Sequence, residues 1–365
     1  MKHILMLYLE PTQYILDLIS ELEKNSSYKI TVLFVSQNVS QNWNLVLKKN
    51  KMLIQQGVLK TAFTHFIKNK YDVIFLAGWS HYMMLSFLLL AKIFRIPVAI
   101  DSDTCFLDVT PTWKRAIKKL LYPILFYFPN HFLPGGTRQA EYLRHYCVPE
   151  RKITLEKMTV DVSHIQSTIS TYPNNAKKMF REKWNLSNND LVFLFVGRLI
   201  ERKGIIELLT AFSQTNHPNV KCMIAGDGPL HHVVENTLKN IIYAGRLNAS
   251  ELIELYFLSD VFILPAHWEP WGLVINEAMA AGKPVITTNK VGCVDDLVIH
   301  NKTGLVIKEQ CVTSIKNAIQ FFIDNPRNVE SMSQEALPLI SNWTIADSAK
   351  QIVSAFEAIA LPNSG

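Results

Sequence analysis

The chain has 365 residues, 48% hydrophobic and 19% charged, with a formal net charge of +6. This balance excludes disordered and collagen-like chains, and the length fits two domains of roughly 150–200 residues better than one core. The positive excess points to anionic partners, but no dense Lys/Arg block marks a nucleic-acid binder.

The opening MKHILMLYLEPTQ carries a short apolar run that ends at Glu10 and Pro11. It reads as a first strand, not a signal peptide. Further first-half strands are expected at residues 30–35, 73–77, 97–101, 131–134 and 153–157, with helices at 12–24, 81–94 and 137–146. The apolar run 82–91 is too short to span a bilayer. Cys105, Cys147, Cys222, Cys293 and Cys311 form no CxxC pair, so neither a disulfide framework nor a zinc site is expected. A cytoplasmic chain follows.

Residues 113–128 join Lys114, Arg115, Lys118 and Lys119 to an aromatic, aliphatic face. Two readings stand: a helix lying on an anionic membrane, or a core-packed helix with a solvated basic edge. The first would make the chain peripheral on the inner face of the membrane. Residues 162–175 carry little periodicity and read as a linker.

A second series of strands is expected at 191–197, 220–226, 241–245, 261–265, 285–288 and 305–308, with helices at 202–212, 250–258 and 272–281. A terminal helix is expected over 345–361, with Thr344 as its N-cap. Such alternation predicts parallel sheets with helical crossovers. The expected organisation is α/β: two doubly wound, Rossmann-like domains, residues 1–165 and 166–342. The 343–365 segment is expected to cross back onto the first. Sheets of this kind bind ligands at the carboxyl ends of their strands, so two facing domains would enclose a deep cleft.

Phe195-Val-Gly-Arg-Leu-Ile-Glu-Arg-Lys-Gly204 follows a strand and opens a helix. Gly197 permits a tight turn, and Arg198 and Lys203 would project from a loop suited to a diphosphate. The run is neither a Walker loop nor a GxGxxG fingerprint, and by itself it reads first as a solvated basic loop. Downstream, a strand ending at Pro265 leads through Glu269, Pro270 and Trp271 into a helix near Gly272. The first-turn amides around Trp271 to Val274 form a natural anion site. Glu269 and Glu277, beside such a site, suit the hydroxyls of a sugar and a ribose. Singly, each is also an ordinary helix-start acid.

Together these segments resemble the retaining, nucleotide-sugar-dependent glycosyltransferases of family 4, which have the GT-B fold of two facing Rossmann-like domains. The resemblance runs through FVGRLIERKGIIELLTAF, IAGDGPL and the stretch from YAGRLNASELIEL to NKTGLVI, close over residues 190–308. It implies that Arg198 and Lys203 grip the donor diphosphate, Glu269 the donor sugar and Glu277 the ribose. Backbone groups at Trp271, Gly272 and Leu273 would touch sugar or phosphate. Glu269, Arg198 and Lys203 are thereby the expected catalytic set.

The first half departs from the family pattern. Residues 8–14 hold a proline-aromatic loop where many members have Gly-Gly. The family's histidine has Asp101, Ser102 or Asp103 in its place, so an acid would meet a sugar or acceptor hydroxyl. His81 is a rival for that role, or a plain helix-start residue. Asp101-x-Asp103 also resembles the DxD metal motif, but the phosphate charge is already assigned to Arg198 and Lys203, so neither a metal nor another cofactor is expected. His231-His232 reads as surface. The function implied is sugar transfer from a nucleoside-diphosphate sugar to an acceptor hydroxyl, in surface polysaccharide or lipid-linked glycan synthesis, with a glycan or lipid-linked acceptor and no nucleic acid. The altered first-half loops motivate an alternative, a non-catalytic sugar-nucleotide or glycan-binding subunit of the same fold.

Overall fold

The computed structural model describes residues 1–25, 27–36, 51–53, 58–106, 111–235 and 240–360. They form two compact units: residues 1–159 together with the segment from Ile345, and residues 160–344.

The first unit is built on six parallel strands: β1 (Lys2–Tyr8), β2 (Tyr28–Phe34), β3 (Lys51–Leu53), β4 (Val73–Ala77), β5 (Val98–Ser102) and β6 (His131–Pro134). Their order is β3-β2-β1-β4-β5-β6. The second holds β7 (Leu191–Val196), β8 (Val220–Ala225), β9 (Ile241–Gly245), β10 (Val261–Leu264), β11 (Val285–Thr288) and β12 (Gly304–Ile307), ordered β12-β11-β10-β7-β8-β9. Counted from its own first strand, each sheet has the same doubly wound order, so the α/β class expected from the sequence is the one observed. The chain reverses its winding between β1 and β4 in one unit and between β7 and β10 in the other. A crevice opens at the carboxyl ends of such strand pairs.

Both faces of each sheet are covered, which is why the strands read as nearly unbroken apolar runs. In β1, Leu5 and Leu7 point into a core with Phe87 and Tyr142. Ile4, Met6 and Tyr8 point the other way, into a core shared with the Gln13–Glu23 helix and the terminal helix. The terminal helix, Ile345–Ala360, lays Ile345, Ile352 and Phe356 into that second core. The Phe356 ring meets Phe75 edge-on at 6.1 Å. Leu361, the expected end of this helix, lies outside the described residues.

Three local expectations are corrected. Residues 153–157 form no ladder strand; Ile153 makes one isolated bridge to Phe132, and Lys157 at φ 64° breaks the extended run. Residues 162–175 are not a plain linker: Val162–Ser170 is a helix capped by Asp161, whose carboxylate accepts the His164 amide at 2.8 Å. The helix expected from Arg202 is instead a 3-10 turn, Glu201–Lys203, followed after Gly204 by the helix Ile205–Ser213. The Thr112–Tyr127 helix packs Tyr122, Leu125 and Phe126 on the first unit's core and leaves Trp113, Ile117, Leu120, Ile124 and Tyr127 exposed.

Candidate functional site

The second unit gathers charge at its crevice. Past β7 the backbone runs through Gly197 to Arg198, which is exposed, and then into the 3-10 turn. Gly204 closes that turn at φ 72°, where a Cβ would lie 2.0 Å from the Pro265 carbonyl oxygen. Only glycine lets the turn sit this tightly on the exit of β10. The close approach carries Arg202 and Lys203 onto the loop after β10. Lys203 Nζ lies 2.8 Å from Glu269 Oε2, and Arg202 Nη1 donates to the same oxygen at 2.8 Å. Arg202 also donates to the Trp268 carbonyl at 3.2 Å, with its guanidinium 4.2 Å from the Trp268 ring centroid. The Lys203 and Glu269 side chains are only 11% and 15% exposed, so this cluster is largely withdrawn from water, where charge-assisted bonds are strong.

The helix Leu273–Ala280 starts behind Glu269, on Gly272 at φ 100°. The amides of Leu273 and Val274 open that helix and have no intrahelical acceptor. The Trp271 side chain is buried: its Nε1 donates to Asn276 Oδ1 at 3.0 Å, and its ring stacks on Trp343 at 5.9 Å. It fixes the helix start. Glu277, one turn in, accepts the Tyr256 hydroxyl at 2.7 Å. Burial raises the Glu277 carboxyl above its ordinary range, and the Tyr256 bond opposes that shift.

The structure thus joins Lys203 to Glu269, gives Glu277 a separate neutral partner, and leaves the Arg198 guanidinium without an ion pair among the described residues. Arg202 was absent from the sequence-derived site, although it belongs to the same Glu-Arg-Lys-Gly run. Its role depends on the 3-10 turn, which presents successive side chains to the same loop. Tyr256 was also missed; it lies in another helix, and no local signal connects it to Glu277.

The first unit has a cavity of about 310 Å³ at the carboxyl ends of β1, β4 and β5. Tyr8, Glu10, Tyr14, Asp101, Asp103 and Glu156 are among its lining residues, and no Lys, Arg or His among the described residues joins them. Burial raises the Asp101 carboxyl to about 6, a hydrogen bond with Glu156 pulls it back, and the Asp103 charge raises it. Burial first, and then the Asp101 charge, hold Glu156 well above the usual carboxylate range. Ser348 Oγ donates to Glu156 Oε1 at 3.3 Å. The Tyr8 hydroxyl is buried and has no partner among the described residues.

His81 does not line this cavity. Its Nδ1 accepts the Met83 amide at 3.2 Å and caps the Tyr82–Ile93 helix, which is the plain helix-start role. Glu156 was missed by the sequence reading because it lay inside an expected strand. An acid within that apolar run was the available signal. Among the described residues, no group of three or more His, Cys, Asp or Glu side chains is arranged to hold a metal ion.

Residues 176–337 match the family described as Glycosyl transferases group 1. This matched stretch lies within the second unit and contains the whole cluster from Arg198 to Glu277. Glycogen synthase of Mycobacterium tuberculosis is 30% identical over 171 residues, 44% of this chain and 41% of that protein. The capsular polysaccharide biosynthesis glycosyltransferase CapM of Staphylococcus aureus is 27% identical over 214 residues, 56% of each chain. The chain therefore spans about two fifths to just over half of these curated relatives. Anabaena HepE, solved in complex with UDP and glucose, superposes with a TM-score of 0.76 at 17% identity, covering 98% of this chain and 100% of that one. The two units are the Rossmann-like α/β units of a GT-B fold. No helix among the described residues is long and apolar enough to cross a membrane.

Proposed function

We propose that the protein is a retaining glycosyltransferase of the family 4 type, moving a sugar from a nucleoside-diphosphate donor to an acceptor hydroxyl. The observation that carries this reading is the Lys203–Glu269 contact, with Arg202 on the same carboxylate, at the crevice of the second unit. One carboxylate oxygen held by two cations has more positive charge than it needs. When a diphosphate arrives, Lys203 turns to it together with Arg198, while Arg202 keeps Glu269 aimed at the donor sugar. Glu277 takes the ribose, and the amides at Gly272 and Leu273 face sugar or phosphate. HepE's bound UDP supports a nucleoside diphosphate as the donor's leaving portion.

In the step itself, the bond from the anomeric carbon to the diphosphate oxygen breaks, and the acceptor oxygen bonds to that carbon on the same face. The acceptor proton passes to a phosphate oxygen of the leaving group. Negative charge grows on the diphosphate, so fixed cations and helix-start amides lower the barrier by preorganised electrostatics. No enzyme nucleophile is needed, and the diphosphate charge is met without assigning a metal. Asp101 and Asp103 serve as hydroxyl acceptors for a sugar or acceptor. The setting is cytoplasmic, in surface-polysaccharide or lipid-linked glycan synthesis, and CapM's part in capsular polysaccharide biosynthesis supports the polysaccharide branch.

The test is release of nucleoside diphosphate from uridine, guanosine and adenosine diphosphate sugars. Wild-type protein is expected to release it from one of them. Lys203→Ala and Glu269→Ala should lose that release while keeping the wild-type circular dichroism spectrum. Nucleotide-dependent thermal stabilisation without release against a broad acceptor panel would instead mark a binding subunit, and unchanged release in both variants would remove the mechanism.

A further inference from the structure

The Thr112–Tyr127 helix presents an apolar stripe to solvent. Trp113, Ile117, Leu120, Ile124 and Tyr127 recur at steps of four and three, which places them along one helical face. All five are exposed; Leu120 is 72% and Tyr127 74% open. Phe128 continues the stripe, and Lys92 of the Tyr82–Ile93 helix lies 5.9 Å from its ring centroid. That second helix adds exposed Leu89 and Ile93. An outward apolar face of this size is unusual for a free surface and marks a docking site.

Charge decides the occupant. Residues 82–95 and 112–128 contain Lys92, Arg95, Lys114, Arg115, Lys118 and Lys119, and not one Asp or Glu. The whole chain's formal charge is +6, so these two segments carry the entire excess and the remainder is balanced. A second copy of the chain docked here on a two-fold axis would set like charges against each other. An anionic lipid surface instead takes the apolar side chains into its acyl boundary and the cations among its head groups.

We propose that this face of the first unit binds an anionic membrane surface, with the Thr112–Tyr127 helix lying in the plane of the interface. The inference rests on this surface alone and stands whether or not sugar transfer is the activity. Its test is co-sedimentation of the full chain with vesicles of phosphatidylcholine alone, or of phosphatidylcholine mixed with phosphatidylglycerol. The chain should sediment with the mixed vesicles only, and high salt should release it. Leu120→Glu with Ile124→Glu should abolish binding. Lys114→Gln with Lys119→Gln should weaken it about thirtyfold, from about 1 kcal/mol per cation. Because all four side chains are exposed, each variant should keep the wild-type melting temperature. Wild-type protein that stays in the supernatant, or variants that sediment like wild type, would overturn the proposal. So would a wild-type dimer in sedimentation equilibrium that Leu120→Glu converts to monomer, since the face would then join two copies.

Discussion

The two units share one strand order and differ in what they place at the crevice. In the second, cations and an acid neutralise one another: Arg202 and Lys203 converge on Glu269. In the first, the cavity lining is acidic with no cation among the described residues, and burial raises both the Asp101 and Glu156 carboxyls. A paired cluster is ready to exchange one internal anion for an anionic ligand. A cavity with a raised carboxyl and an unpartnered Tyr8 hydroxyl is ready for hydroxyl groups. The shared topology supplies a crevice, and the loop residues decide its chemistry.

Changes that break the paired cluster should have the largest effect. Lys203→Ala should lower the transfer rate by about 10²–10³, the range for loss of one preorganised charge-stabilising donor, with little change in melting temperature; single-turnover kinetics with the identified donor would measure it. Gly204→Ala comes next, because its methyl group would collide with the Pro265 carbonyl at 2.0 Å. It should destabilise by more than about 1 kcal/mol, read by urea unfolding, and displace Lys203 so that activity falls too.

Tyr256→Phe removes the hydroxyl that donates to Glu277 and leaves a buried carboxyl less well satisfied. About 1–2 kcal/mol is at stake, so donor affinity should weaken roughly tenfold by calorimetric titration while turnover at saturation changes less.

The first unit offers a pH test. Asp101 has a folded-state value raised from 3.8 to about 6, so the native state binds a proton that the unfolded chain has already lost. Its contribution to stability is present below about 3.8 and is lost as pH rises through about 6; each unit of difference is worth about 1.4 kcal/mol. Asp101→Asn should therefore flatten the fall in melting temperature across that window. A slope equal to wild type would mean that Asp101 is not buried as described. The smallest effect is expected of Tyr8→Phe, because the lost hydroxyl has no partner among the described residues. Its melting temperature should not drop, and a loss above about 1 kcal/mol would reveal a hidden bond.

Individual segments show how far local reading reaches. The Leu191–Val196 strand was legible because a strand buried on both faces must be continuously apolar. Gly272 was legible as a helix start and takes positive φ, whereas Gly204, also at positive φ, lay inside an expected helix. The linker reading failed at residues 162–170 because a short helix capped by Asp161 has too few turns to display a period.

The order of strands and helices, the acidic pair Glu269 and Glu277 and the basic run ending at Gly204 were set by the amino-acid sequence alone, since propensity, apolar patterning and glycine punctuation act over a few residues. Tertiary packing alone decided that Arg202 joins Lys203 on Glu269, that Asp101 meets Glu156, and that the apolar stripe after Thr112 faces outward. Each of those outcomes depends on which surfaces are brought together by residues far apart in the chain, and burial, unlike periodicity, has no local signature.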